Sequence, residues 1–121
     1  MSHWKEFRVE RHDRSGPDVT TWRLAGTLTN TKESYEFLDA LRDAVRDRPC
    51  AQLLNLEKVE HVTSAGVGII AAAYTSATNA KAPFGLACLS PQVRTVLSLV
   101  NLLSLLTHEA TEDLAIARLT S

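Results

Sequence analysis

Apolar residues near the start of the chain alternate partly with polar ones, as they do in strands. An early run, residues 4–11, alternates partly through Trp4, Phe7 and Val9, and a second run covers residues 19–28. The turn-forming segment Asp-Arg-Ser-Gly-Pro-Asp separates the two runs. Because alternation predicts half-buried strands and Gly and Pro favour turns, this part of the chain is predicted to form a β-hairpin.

Helical spacing replaces the alternation after the hairpin. Leu41 and Val45 lie four residues apart, as on one face of a helix. Asn30, followed three residues later by Glu33, resembles a capping box. These residues predict a first helix from about Thr31 to Asp47.

Three more helices are predicted downstream. Val67, Ile70 and Tyr74 lie on one stripe of a second helix, which begins at Ser64 and ends near Asn79. Capping hydroxyls, a proline at the first helical position and acidic first-turn residues predict two further starts, at Ser90-Pro91 and at Thr111-Glu112-Asp113.

Short apolar runs between these helices predict the remaining strands. Residues 51–56 follow Pro49 and form a short, mainly apolar run, which suits a central strand covered on both faces. Residues 84–89 predict another strand, and residues 103–106 a short one. Strands that alternate with helices indicate an α/β fold, a mixed and mostly parallel sheet of about five strands with about four helices. One domain is expected over residues 1–121, with its core at about 7–119.

Composition excludes several functions. The 121 residues include 13 Lys and Arg and 14 Asp and Glu, a formal charge of −1, so the chain has no basic field for nucleic acid. No apolar run approaches the roughly 20 residues of a membrane-spanning helix, and the polar start lacks the apolar region of a signal peptide. We therefore expect a cytoplasmic protein that does not insert into membranes.

Cys50 and Cys88 are the only cysteines, and neither has a second thiol or a histidine at the spacing of metal ligands. No metal or other cofactor is therefore expected. Cys88 lies in an apolar run and is interpreted as a small buried hydrophobic residue.

The segment from Thr63 to Gly68 is where function is expected. Ser64 stands where a helix begins after a strand, among backbone N–H groups that have no helical partner. Gly66 and Gly68 follow within the first turn, although each costs a helix roughly 0.5 to 1 kcal/mol relative to alanine. Tight packing on the sheet and close access for a partner both explain such glycines, and the sequence leaves both explanations open.

A catalytic role for Ser64 lacks support in the sequence. A hydrolase elbow has glycine two residues before its nucleophile, whereas Val62 occupies that position here. None of the four histidines lies in the context of a catalytic triad, and no phosphate-binding or dinucleotide-binding motif is present. We therefore expect no catalytic residues and a protein that is not an enzyme.

A phosphoryl group on Ser64 is the alternative chemistry. It adds about −1.5 to −2 charges at neutral pH, and the helix N-terminus favours negative charge. Such a group changes partner binding without unfolding the domain. The competing interpretation is that Ser64 only caps its helix, which contributes roughly 1 kcal/mol.

Three sequence motifs, taken in their order along the chain, resemble the STAS domain of sulphate transporters and anti-sigma factor antagonists. The resemblance spans about residues 7–119. Its motifs are Leu24-Ala25-Gly26-Thr27-Leu28, the strand and loop at 53–68 that ends in Thr63-Ser64-Ala65-Gly66-Val67-Gly68, and Leu86-Ala87-Cys88-Leu89-Ser90-Pro91-Gln92-Val93-Arg94.

The resemblance implies an anti-sigma factor antagonist that binds an anti-sigma factor serine kinase and is phosphorylated by it on Ser64. The partner-binding residues it implies are Thr29, Asn30, Thr31, Thr63, Ser64, Ala65 and Gly66. Two residues depart from the family pattern, since Thr63 and Thr29 stand where acidic residues are usual. The alternative is an accessory subunit of a transporter complex or a signalling scaffold, which binds without being phosphorylated.

Apolar residues after the third helix leave the oligomeric state open. Leu102, Leu103 and Leu105 are expected to cover the sheet, and the alternative is a contact in a weak homodimer.

Overall fold

A five-stranded sheet organises the described part of the chain, residues 6–15 and 18–121 of the computed structural model. The alternation of strands and helices confirms the predicted α/β class. In chain order the elements are β1 (Arg8–Ser15), β2 (Asp18–Leu28), α1 (Lys32–Asp47), β3 (Ala51–Val62), α2 (Ser64–Asn79), β4 (Phe84–Ala87), α3 (Pro91–Leu99), β5 (Thr107–Glu109) and α4 (Glu112–Leu119).

The strands lie in the sheet in the order in which they occur along the chain. β1 and β2 pair antiparallel, and β2 to β5 all run parallel. β3 is the central strand, as its apolar sequence predicts, and Leu53, Leu54 and Leu56 are fully buried. Because the parallel strands share one direction, the loops that leave their carboxyl ends meet at one edge of the sheet.

Helices cover the two faces of the sheet unequally. Side chains of α1, α2 and α3 form the larger core on one face, where Trp22 meets Phe37 edge to face with ring centroids 5.5 Å apart. The smaller core on the other face contains Ala115 and Ile116 of α4 above Leu53. The second face is therefore covered by one short helix.

The predicted hairpin is present, but its first strand lies later in the chain than expected. β1 pairs with β2 as far as Ser15 opposite Asp18, so the connection is shorter than the predicted turn. Strand pairing continues there despite the polar sequence, because an edge strand can keep its side chains in solvent. Trp4 and the predicted Gly-Pro turn lie outside the described residues.

The last predicted strand is displaced. Residues 103–106 form turns, in which the N–H of Leu106 donates to the carbonyl of Leu102 at 3.0 Å, and β5 begins only at Thr107. The turn directs Leu102 and Leu103 onto the larger core, whereas Leu105 is 57% exposed. The expectation that all three leucines cover the sheet is therefore wrong for Leu105.

β4 ends at Ala87 because Cys88 adopts a positive φ of 60°, which breaks the extended conformation. The N–H of Cys88 donates to the carbonyl of Glu109 at 3.2 Å. Cys88 is half-buried, not fully buried as its apolar surroundings in the sequence suggest. Burial raises the pKa of its thiol, which keeps the reactive thiolate scarce.

Thr31, not Asn30, is the N-cap of α1. The Thr31 hydroxyl accepts from the N–H of Ser34 at 3.2 Å and donates to the Ser34 hydroxyl at 2.9 Å. The side-chain oxygen Oδ1 of Asn30 instead accepts from the Thr29 hydroxyl at 3.2 Å. The predicted capping box of Asn30 and Glu33 is therefore wrong by one residue, because both asparagine and threonine suit a cap and only the path of the loop decides between them.

A polar cluster fixes the start of α4 on the sheet. Arg23 donates to both carboxylate oxygens of Glu112 at 3.0 and 3.1 Å, and the Asn55 amide donates to the same carboxylate at 2.6 Å. The hydrogen bond from Arg23 holds the pKa of Glu112 below its ordinary value. The cluster thus joins β2, β3 and α4.

Glu112→Gln removes the ion pair with Arg23 and is expected to lower the free energy of unfolding at neutral pH. The loss should be only about 1 kcal/mol, because the Arg23 side chain is 43% exposed and solvent screens the pair. In the wild type, the stabilisation that the ionised Glu112 carboxylate provides is complete above its ordinary pKa of 4.5. It is lost as the pH falls through the lower pKa of the folded state. Urea titrations between pH 7 and pH 3 should show the two proteins converging at the acid end. Asp113→Asn is the matched control, since Asp113 lies in the same helical turn and makes no ion pair within the described residues. An equal loss in this control would assign the effect to the helix dipole.

Candidate functional site

Two loops meet at the edge of the sheet where the parallel strands end. The N–H of Thr63 donates to the carbonyl of Leu28 at 3.2 Å, and the Thr63 hydroxyl donates to the Thr29 hydroxyl at 2.7 Å. The β2–α1 loop and the β3–α2 junction, which are far apart in sequence, are therefore in direct contact. We call the surface formed by residues 29–31 and 63–66 the docking face.

The helices that follow these loops run side by side. At their starts Thr63 contacts Thr29, and more than two turns later the Arg42 side chain donates to the Ser76 hydroxyl at 3.1 Å. Both pairs are 34 residues apart in sequence, so α1 and α2 are parallel and in register. The N-termini of both helices consequently point toward the docking face, and their dipoles favour negative charge there.

Thr63, not Ser64, caps α2. The Thr63 hydroxyl accepts from the N–H of Gly66 at 3.2 Å, and its backbone is extended while Ser64 is the first helical residue. Ser64 is exposed, and within residues 6–15 and 18–121 its hydroxyl has no hydrogen-bond partner. The interpretation of Ser64 as the cap of α2 is therefore wrong, since the preceding residue performs that role.

The docking face carries no ionisable side chain among its seven residues. Asn30 and Ser64 are exposed, whereas Thr29, Thr31, Thr63 and Ala65 are half-buried. α2 has no acidic residue in its first turn, in contrast to α1 and α4. An anion at Ser64 would therefore meet the dipole of α2 without repulsion from its own first turn.

The two glycines of the motif have different surroundings. A Cβ on Gly66 would lie 2.1 Å from the carbonyl oxygen of Leu28, a distance that no packing adjustment of side chains relieves. Packing thus accounts for Gly66, which is the buried member of the docking face. Gly68 is exposed, and a Cβ there would meet nothing within 4 Å. Gly68 lies four residues after Ser64 on the same side of α2, so a neighbouring protein has close access to the helix backbone there.

The start of α3 adjoins this region and is absent from the predicted site. The Ser90 hydroxyl donates to the carbonyl of Val59 at 3.4 Å, and the Gln92 amide lies 3.0 Å from the His61 ring nitrogen Nδ1. The signal was available in the sequence, since Ser90-Pro91 opens a helix directly after a strand parallel to β3.

Other kinds of site have less support in the described ranges. Over residues 6–15 and 18–121, no group of three His, Cys, Asp or Glu side chains is placed to hold a metal. A cavity of about 720 Å³ lies on the opposite face of the sheet, where Arg23, Asn55 and Glu112 line it, away from Ser64. Within the same part of the chain, no helix is both long enough and apolar enough to cross a membrane.

Comparison with known proteins assigns the chain to a family. The family model of the STAS domain matches residues 12–115, which is most of the chain. The chain therefore belongs to the STAS domain family, as the resemblance in its motifs indicates. Among curated proteins, no sequence matches it significantly.

Solved structures with the same fold include anti-sigma factor antagonists. One from Mycobacterium paratuberculosis is 22% identical, with 96% of each chain covered and a TM-score of 0.79. The antagonist SpoIIAA in its unphosphorylated form is 23% identical, with 93% of this chain and 95% of that chain covered and a TM-score of 0.73. The phosphorylated form of SpoIIAA from Bacillus is 22% identical, with 93% of this chain and 98% of that chain covered and a TM-score of 0.59. At these sequence identities, the structural likeness establishes a shared fold and nothing more.

Thr63→Ala is expected to lower the free energy of unfolding by about 1 kcal/mol, because the N–H of Gly66 loses its acceptor. Ser64→Ala should change it by less than about 0.5 kcal/mol, since Ser64 is exposed and does not cap. Urea unfolding followed by the fluorescence of buried Trp22 measures both. Thr63→Ser keeps the hydroxyl and is the control, and a larger loss in Ser64→Ala than in Thr63→Ala would contradict the assignment of the cap.

The two glycines should respond in opposite directions to alanine. Gly66→Ala is expected to destabilise by about 1–3 kcal/mol or more, because its Cβ collides with the backbone of β2. Gly68→Ala should stabilise by roughly 0.5 to 1 kcal/mol, because its site is open and alanine favours the helix. Thermal unfolding of both variants beside wild type tests this prediction, which fails if the two shifts have the same sign.

Proposed function

We propose that this protein is a non-enzymatic regulator, an anti-sigma factor antagonist that binds an anti-sigma factor serine kinase through the docking face. Phosphorylation of Ser64 releases the kinase. The observation that carries the proposal is that two adjacent hydroxyls have different roles. Thr63 caps α2, and Ser64 is left exposed and unengaged at the first helical position.

The covalent step is a phosphoryl transfer from ATP. The Ser64 oxygen attacks the γ-phosphorus, a new O–P bond forms, and the bond to the β-phosphate oxygen breaks so that ADP leaves with the electron pair. A base of the kinase takes the hydroxyl proton. Since the Ser64 hydroxyl has no partner in the described chain, no internal hydrogen bond is broken by this reaction.

The modified residue changes charge without changing the fold. A phosphoserine carries about −1.5 to −2 charges at neutral pH, and the N-terminus of α2 stabilises a negative charge. The docking face has no ionisable side chain, so phosphorylation converts an uncharged contact surface into an anionic one. A partner fitted to the uncharged surface then faces a bulky dianion, which favours dissociation.

The likeness in fold to SpoIIAA, which is known in unphosphorylated and phosphorylated forms, supports this proposal. The alternative role, an accessory subunit of a transporter complex, uses the same docking face without modification. The partner distinguishes the two roles, because one binds a kinase and the other binds a transport ATPase.

Phosphate mapping tests the proposal directly. The purified protein is incubated with Mg-ATP and each anti-sigma factor kinase of the native cell, and the modified residue is located by mass spectrometry. We expect one phosphoryl group on Ser64 in the wild type and none in Ser64→Ala. A lack of modification together with a lack of complex formation would overturn the proposal, and a stable complex with a transport ATPase would favour the accessory role.

Ser64→Asp is expected to weaken kinase binding about tenfold, equivalent to about 1.4 kcal/mol. A carboxylate supplies only part of the charge and fewer acceptor oxygens than a phosphoryl group, so the effect should be smaller than that of phosphorylation. Titration calorimetry of wild type, Ser64→Asp and the neutral control Ser64→Asn measures it. Equal affinity of all three proteins would remove the physical basis of the switch.

A further inference from the structure

The two adjacent hydroxyls at the start of α2 differ in what surrounds them. The Thr63 hydroxyl is engaged twice, since it donates its proton to Thr29 at 2.7 Å and accepts from the N–H of Gly66 at 3.2 Å. The Ser64 hydroxyl is exposed and has no hydrogen-bond partner in the described ranges. Of these two neighbouring hydroxyls, the one on Thr63 is therefore fully engaged and the one on Ser64 is available.

Thr29 is itself held in a fixed arrangement. Its hydroxyl donates to the side-chain oxygen Oδ1 of Asn30 at 3.2 Å, which leaves a lone pair to accept from Thr63. Its carbonyl accepts from the N–H of Thr31 at 2.8 Å, so the loop backbone is also tied. The hydrogen bonds therefore run in one direction, from Gly66 through Thr63 and Thr29 to Asn30.

We propose that Thr29 is a positioning residue. By holding the Thr63 hydroxyl, it prevents phosphorylation of Thr63 and directs the phosphoryl group to Ser64. The inference rests on the proposed function. A hydroxyl that attacks the γ-phosphorus of ATP must offer a lone pair to phosphorus and release its proton to a base of the kinase. At Thr63 the proton is already directed to Thr29 and a lone pair to the N–H of Gly66.

Modification of Thr63 also requires a rearrangement that modification of Ser64 does not. Rotation of the Thr63 side chain toward solvent would leave the N–H of Gly66 without its cap and Thr29 without its donor. Threonine has few accessible side-chain rotamers, so the hydroxyl cannot serve the cap and face a kinase at once. The Ser64 hydroxyl, at the first helical position, is available to a kinase without such a rotation.

The side-chain rotamer of Thr63 provides a test in the isolated protein. Three-bond couplings from the methyl carbon of Thr63 to its backbone nitrogen and carbonyl carbon report this rotamer by NMR. We expect a single rotamer in wild type and in Thr29→Ser, which keeps the hydroxyl, and averaged couplings in Thr29→Val, which keeps the shape and removes the acceptor. Thr29→Ala is the second variant if Thr29→Val does not fold. An unchanged single rotamer without the Thr29 hydroxyl would overturn the proposal.

The site of the phosphate provides the second test, with the kinase that modifies the wild type. In Thr29→Val the ratio of phosphate on Thr63 to phosphate on Ser64 should rise about tenfold, the effect of losing one hydrogen bond of about 1.4 kcal/mol. Because the ratio compares two residues of one molecule, weaker kinase binding does not alter it. In the wild type, as much phosphate on Thr63 as on Ser64 would overturn the inference, and so would an unchanged ratio in Thr29→Val. If no kinase modifies or binds the protein, the proposed function fails, whereas the NMR couplings still decide whether Thr29 fixes Thr63.

Discussion

The close approach of α2 to the end of β2 is the constraint on which the docking face depends. The carbonyl of Leu28 accepts from the N–H of Thr63, and the same oxygen occupies the space of the missing Cβ of Gly66. A larger residue at Gly66 would push the helix away and break the contact between Thr63 and Thr29. A single backbone oxygen thus determines where α2 begins and how Ser64 faces solvent.

Uncharged hydroxyls form the link between the two loops of the docking face. Carboxylates in place of Thr29 and Thr63 would put two like charges close together and make the link depend on pH. The Thr63–Thr29 hydrogen bond is independent of titration. In the proposed function, charge enters the docking face only through phosphorylation of Ser64. The switch proposed here therefore starts from a neutral surface.

The sheet separates the ionic cluster at the start of α4 from the uncharged docking face. Glu112, Arg23 and Asn55 fix α4 on one face, while α1 and α2 pack on the other and carry the docking face at their N-termini. Acid conditions that protonate Glu112 weaken the anchor of α4 without titrating any group of the docking face. Stability and partner binding are thus expected to respond differently to pH.

The sequence by itself determined the α/β class and the central place of β3, because buried apolar runs and helical spacing are local signals that packing rarely reverses. Its motifs, which resemble those of the STAS domain, also indicated the family that the comparison shows. The sequence also singled out Ser64 and Gly66. Only the tertiary structure decided that Thr63 is the cap, that Gly66 packs against Leu28 while Gly68 stays open, and that Thr29 reaches Thr63. Adjacent residues of similar capping preference differ only in the neighbours that a distant segment provides, and that information is absent from local sequence.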